Sequence, residues 1–280
     1  MKGLGIVVNV LAVVIGGCLG DMLRGRYKRR YQELVLRLCG MVTLVVSVYG
    51  GLMAMYDFGG DKLESPGVLI LVFALLTGTV FGTAFNIDGL LTRLGRVLKK
   101  WLGREPGSHG TAGHGTKGEQ NKPSCPVYDL VSPRSGDLFA DGFVIATVMV
   151  SFGALSVSGC MAEGTSGDTT LLYIKSAIDL VLTFALATVF GSSVSLAAFP
   201  LLIVEGSVTL LACNHLPFMT DKLVAHMTVI SAIVMLTVGI NLAFEKKLKA
   251  ANMIPALLIP AIYYGIVDNV TIAVENALGL

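Results

Sequence analysis

The stretch "YIKSAIDLVLTFALATVFG", residues 173–191, is apolar enough to cross a bilayer, yet it carries Lys175 and Asp179. Four residues apart on a helix, the two side chains share one face. Ionisable groups are expensive inside a membrane, and where they occur they face a cavity or a partner. Two chemistries fit. In one, Asp179 takes a proton or cation and Lys175 supplies the counter-charge of a coupling or substrate-binding site. In the other, the pair is structural, and Lys175 extends its charge toward the outer interface.

Glu205, in "AAFPLLIVEGSVTLLAC", is the other deep carboxylate. Pro200 precedes it, and Gly206, Ser207 and Thr209 follow. A proline inside a helix frees a carbonyl and bends the chain. A bent helix at the midplane with a carboxylate beside it suits an ion or substrate site. The alternative is a protonated Glu205 that hydrogen-bonds a neighbouring helix. Asn9, Asn241 and Asn252 mark other apolar segments or their ends, where asparagine commonly joins two helices. Asn252 opens "NMIPALLIP", in which Pro255 and Pro260 are expected to break the helix and free carbonyls for a cation. The candidate binding residues are therefore Asp179, Lys175, Glu205, Asn9 and Asn252, with helix breaks at Pro200, Pro255 and Pro260.

Other chemistries find no support. The five cysteines, Cys18, Cys39, Cys125, Cys160 and Cys213, have no metal-ligand or disulfide spacing. His109 and His114 read as solvated polar residues rather than a metal site. Dinucleotide, P-loop, HExxH and GxSxG patterns are absent, and no nucleophile–base set is recognisable. The expectation is a non-enzyme with no cofactor and no metal.

The elements that must position these residues are membrane spans. Of 280 residues, 54% are hydrophobic and only 14% charged; soluble domains carry roughly a quarter charged residues. A crossing needs about 20 apolar residues. Eight such segments can be read, at about 4–20, 36–56, 66–85, 139–160, 171–190, 194–213, 223–243 and 252–268, with seven as the alternative count. The runs are continuous rather than alternating, which excludes a β-barrel. The fold expected is an all-α polytopic bundle.

Charge sets the topology. Of the 21 lysines and arginines, all but Lys2, Lys62, Lys175 and Lys222 fall in the connections after spans 1, 3 and 7 or at their edges. The positive-inside rule places those three connections in the cytoplasm and both termini outside. Lys2 alone precedes the first apolar run while "RGRYKRR" follows it, which favours a retained span over a cleaved signal peptide. The basic loops are explained by topology, so nucleic acid is not required as a partner.

Residues 1–102 form spans 1–3 with "GLLTRLGRVLKKWLG" as an amphipathic helix on the inner membrane surface, its basic face toward anionic lipid. Residues 103–126, "GREPGSHGTAGHGTKGEQNKPSCP", cannot bury a core and read as a disordered cytoplasmic linker. Residues 127–280 hold spans 4–8. Spans 1–3 and 6–8 show a weak likeness in opposite orientation, the pattern of an inverted repeat. The GxxxG patterns Gly16–Gly20 and Gly78–Gly82 allow close helix approach, within the chain or between copies, so a homo-oligomer stays open.

Several blocks resemble the DUF554 family of bacterial inner-membrane proteins. The opening "GLGIVVNVLAVVIGGCLG" is similar to the family's start, with its Asn and Gly pair. "GTAFNIDGLLTRLGRVLKK" resembles a segment in which Thr83 and Asn86 stand where relatives often carry acids. The most specific block ends in "GDTTLLYIKSAID", matching G-D-x-x-x-L-x-x-K-S-x-x-D at Gly167, Asp168, Leu172, Lys175, Ser176 and Asp179. "FPLLIVEGSVTLLA" matches a P-x-x-x-x-Q-G segment with Glu205 replacing the usual Gln, and "NMIPALLIPA" matches the family's ending. The resemblance implies a bacterial inner-membrane protein and supplies no substrate. With the intramembrane charges it gives the expectation of a secondary transporter or channel for a small solute or ion. The competing expectation is a membrane scaffold or sensor whose polar residues hold helices together.

Overall fold

In a bilayer the backbone must satisfy its own polar groups, so continuous apolar runs become helices. A computed structural model describes residues 3–24, 29–59, 65–101, 137–214, 220–244, 246 and 248–266. Among these residues there is no strand. The helices are α1 (Leu4–Leu23), α2 (Arg29–Gly59), α3 (Ser65–Ala84), α4 (Ile87–Trp101), α5 (Leu138–Ser151), α6 (Ala154–Ser166), α7 (Thr170–Phe190), α8 (Ala198–Cys213) and α9 (Asp221–Phe244). A 3-10 stretch, Ala250–Leu257, continues as α10 over residues 258–266. The linker 103–126, with His109, His114 and Cys125, lies outside the described residues.

Among the described residues five helices are long and apolar enough to cross a membrane, and two bent pairs raise the number to seven. The eighth expected span, Ala250–Ile266, is a shorter apolar helix. One bent pair is α3 and α4, which meet at 52°. The corner is Asn86, whose φ of 49° is left-handed; asparagine adopts that conformation more readily than most residues. The α4 helix turns Thr92 and Gly95 toward the bundle and leaves Leu90, Leu94, Val97 and Trp101 exposed. That apolar stripe, flanked by Arg93, Arg96 and Lys100, has the pattern of an interfacial helix.

The other bent pair is α5 and α6, at 50°. Span 4, expected as one helix over 139–160, is two half-helices separated by Phe152 and Gly153. Pro200 behaves differently from expectation. Pro200 is the third residue of α8 and Pro260 the third residue of α10. First-turn amides have no intrahelical acceptor, so Pro200 removes no α-helical bond, whereas Pro260 follows directly on the 3-10 stretch inside a continuous helical run. Pro200 therefore does not bend α8, and the irregular chain lies just before it, in the 3-10 turns Gly191–Ser193 and Ser195–Ala197. Pro255 sits inside the 3-10 stretch, so that segment is tightened rather than α-helical.

Packing follows small residues. The α1 helix lies along α7, α2 along α9, and α3 along the 3-10 stretch. A β-carbon on Gly16 or Gly20 would collide with the backbone carbonyls of Leu180 or Phe184 on α7. One on Gly78 or Gly82 would strike the backbone of Ala256 or Asn252. Both GxxxG patterns are thus consumed by contacts within the chain. Replacing Gly20 with alanine should lower the thermal midpoint in detergent through overpacking of about 1–3 kcal/mol. Gly206→Ala, where nothing stands within 4 Å of the added carbon, is the matched control and should leave the midpoint in place.

Contacts sort the connections to two ends of the bundle. At one end Gln32, opening α2, donates to the Thr188 carbonyl near the end of α7 at 2.9 Å. Lys99 of α4 pairs with Asp137, before α5, at 3.0 Å. Asn241, near the end of α9, donates to the Leu248 carbonyl at 2.6 Å and accepts its N–H at 2.9 Å. At the opposite end the start of α1 meets the end of α6 through Gly5 and Glu163.

Candidate functional site

The "GD…K…D" block is built by local hydrogen bonding. Gly167 has φ of 76° and ends α6. Its N–H donates to the Glu163 carbonyl, and the Asp168 N–H donates to that of Ala162. This double closure needs a left-handed residue, the role glycine fills most easily. The Asp168 carboxylate then accepts the Thr170 N–H at 2.9 Å at the start of α7. Those Thr170 bonds hold its carboxyl below the usual aspartate range, so this cap persists at neutral pH and weakens as the pH falls through that lowered value. Leu172, one turn on, is fully buried. The next two turns carry Lys175 and Asp179 inward, at 3% exposure each.

Four elements converge on Lys175. Its ammonium pairs with Asp179 on the same helix face. It also pairs with Glu205 Oε1 of α8 at 3.2 Å and donates to the Val150 carbonyl of α5 at 2.8 Å. Glu205 is fully buried and accepts from the Asn9 amide of α1 through Oε1 at 3.1 Å and Oε2 at 3.0 Å. Lys175 therefore does not extend to an interface; its charge is spent inside the bundle.

The break between α5 and α6 is part of this arrangement. Val150 lies in the last turn of α5, where carbonyls lack intrahelical donors. Lys175 supplies one. The Lys175 Cε and the Ser156 hydroxyl both lie within 3.6 Å of where a β-carbon on Gly153 would stand. The half-helix ends thus present backbone groups to the ion cluster, as discontinuous helices do at membrane binding sites.

Asn252 stands elsewhere. Its Oδ1 accepts the Asp88 N–H in the first turn of α4 at 2.9 Å. It caps that helix and packs against Gly82, apart from Lys175. Nearby, α4, α5, α9 and the 3-10 stretch enclose a cavity of about 50 Å³, lined by Asp88, Thr92, Asp141 and Asn241 among apolar groups. That volume holds roughly three or four waters. Val148 of α5 lines it, two residues from the carbonyl that Lys175 grips.

One buried acid was not singled out in the sequence. Glu163 of α6 has no exposed surface. Its Oε1 accepts the Gly5 N–H at 2.7 Å in the first turn of α1. Cys160, one turn before it, lies within electrostatic reach of Glu163, Glu205 and Lys175 together. Glu163 sits four residues before Gly167 and beyond the apolar segment read at 139–160, so no span reading included it. Among the described residues no group of three metal-ligating side chains occurs.

The model of a protein family described as "Protein of unknown function (DUF554)" matches residues 4–265. The "Uncharacterized membrane protein YdfK" of Bacillus subtilis (strain 168) is 21% identical over 258 residues, 92% of this chain and 94% of its own. The "Uncharacterized protein YqgA" of Escherichia coli (strain K12) is 23% identical over 253 residues, 90% of this chain and 92% of its own. No solved structure matches. With its apolar helices, the chain is an integral membrane protein.

Proposed function

Because the chain belongs to the DUF554 family, whose description names no activity, we propose from the Lys175 cluster itself that it is a secondary transporter of a small solute or ion. One observation carries the reading: two buried carboxylates share a single ammonium. With Asp179 and Glu205 both ionised the cluster bears one excess negative charge. An uncompensated buried charge costs several kcal/mol. One proton or one cation removes it. A site that is neutral only when it holds an exchangeable positive charge is suited to couple that charge to a second species. The broken helix α5–α6 supplies the hinge, since its two halves can move about Gly153 without breaking a continuous ladder.

In this reading the basic connections face the cytoplasm of a bacterial inner membrane and both termini lie outside. The small polar cavity beside α4 is then on the cytoplasmic side, and the conformation described is closed around Lys175. The partners are lipid and a small solute or ion, with no catalytic step. That same closure favours a second reading, a scaffold or sensor in which the cluster only fastens α1, α5, α7 and α8.

Liposomes separate the two. The purified chain is reconstituted with a trapped pH-sensitive dye, and gradients of alkali chlorides and of small organic solutes are imposed in turn. A transporter should move protons or the imposed species at least tenfold faster than empty liposomes, and Asp179→Asn and Glu205→Gln should each remove that flux. Flux that survives both changes removes the cluster from the pathway. Parent liposomes that behave as empty ones across the panel support the scaffold.

A further inference from the structure

We propose that Glu163 and Asn9 form a second site, one helical turn from the Lys175 cluster, that takes a monovalent alkali cation. The inference rests on the transport reading for its charge count and on separate atoms for its geometry.

Two buried oxygens here have no hydrogen-bond partner: Glu163 Oε2 and Asn9 Oδ1. Both residues are fully buried. Their other polar atoms are committed. Glu163 Oε1 holds the Gly5 N–H, and the Asn9 amide nitrogen holds both Glu205 oxygens. Gly5 and Asn9 are four residues apart on α1, so the groups anchored to them lie on one face, about one turn from each other. Both free atoms are acceptors. Neither can serve the other, and a buried acceptor left unmet is costly. The species that satisfies both is a cation or a donor.

Charge points the same way. Glu163 adds a third buried carboxylate to Asp179 and Glu205 against the one ammonium of Lys175, so with all three ionised two negative charges are in excess. The exchangeable charge at Asp179 and Glu205 neutralises one. The other belongs to Glu163 and calls for a single positive charge. A divalent ion fits poorly, because it would need several more carboxylate or carbonyl ligands, and no three-residue metal cluster exists among the described residues. An alkali cation accepts one carboxylate oxygen and one amide oxygen, with water or backbone completing its shell.

The test measures binding, not transport. Purified chain in detergent is unfolded thermally in chloride salts of Na+, K+, Li+ or N-methyl-D-glucamine at constant ionic strength, and 22Na+ binding is counted directly. The expected result is an alkali-specific rise of roughly 5 °C or more at a hundred times the half-saturating concentration. Glu163→Gln should abolish the rise and lower the bound 22Na+ by one ion per chain. Glu163→Asp, which keeps the charge on a shorter arm, should weaken binding at least tenfold while its circular dichroism shows a folded helix bundle. Asp179→Asn should keep 22Na+ binding within tenfold of the parent even where its flux is lost, so failure of the transport reading and failure of this site are distinguishable. No alkali-specific effect in the parent overturns the proposal, as does one undiminished in Glu163→Gln. A stabilisation that follows pH alone overturns it in favour of a simply protonated Glu163.

Discussion

Replacing Lys175 with methionine is expected to be among the most destabilising single changes in the protein. Methionine nearly matches the lysine stem in volume, so packing is kept and the charge alone is lost. Asp179 and Glu205 then face each other without a counter-ion, and the Val150 carbonyl loses its donor. Breaking a buried pair from one side costs about 3–5 kcal/mol, because the remaining charge stays buried. The variant should show a large drop in thermal midpoint and in yield of folded protein from membranes. The triple variant Lys175→Met, Asp179→Asn, Glu205→Gln removes the uncompensated charges as well. It should recover most of the loss, since buried ion clusters replaced as a whole are often near neutral in stability. A single variant as stable as the parent would mean that Lys175 is not the electrostatic centre of the bundle.

Asn9→Asp should come next in size. The side chains are nearly isosteric, so the change is electrical. It adds a carboxylate beside the fully buried Glu205 and removes the two hydrogen bonds that Glu205 accepts. A charged group left without its partner costs more than the 1–3 kcal/mol of a neutral one. The reciprocal change tests the contact itself. In Asn9→Asp with Glu205→Gln, the amide and the carboxylate exchange helices, and two acids again stand near Lys175. The double variant should be more stable than Asn9→Asp alone, with a coupling of roughly 0.5–3 kcal/mol. Additive losses would show that the two residues do not act as a pair.

The sequence carried the local part of this site and hid the long-range part. Lys175 and Asp179 were legible because their spacing of four is a helix-face signal, and they do pair. Asn9 and Glu205 were legible as residue types, but they stand 196 positions apart, and no local rule joins them. Pro200 misled for a physical reason: in the first turn of α8 it removes no helical bond. The break that matters carries no proline. Its signals were Gly153 and the length of residues 138–166, longer than the roughly 20 residues a crossing needs. Asn252 attracted interest as an intramembrane amide, and it instead caps α4. The glycine patterns were readable as close approaches, though not as to partner. The pairings of α1 with α7 and α3 with the 3-10 stretch required the three-dimensional arrangement.

The central claim is that one carboxylate beside Lys175 must hold an exchangeable positive charge for the protein to work. Dye-reported flux through the Asn9→Asp, Glu205→Gln double variant in liposomes tests it most directly, because the titratable group is moved to another helix while its number is kept. Glu205→Gln alone is expected to be silent, and the double variant to regain flux to within about tenfold of the parent. Glu205→Gln transporting at the parent's rate, or a folded double variant as silent as Glu205→Gln alone, would contradict it.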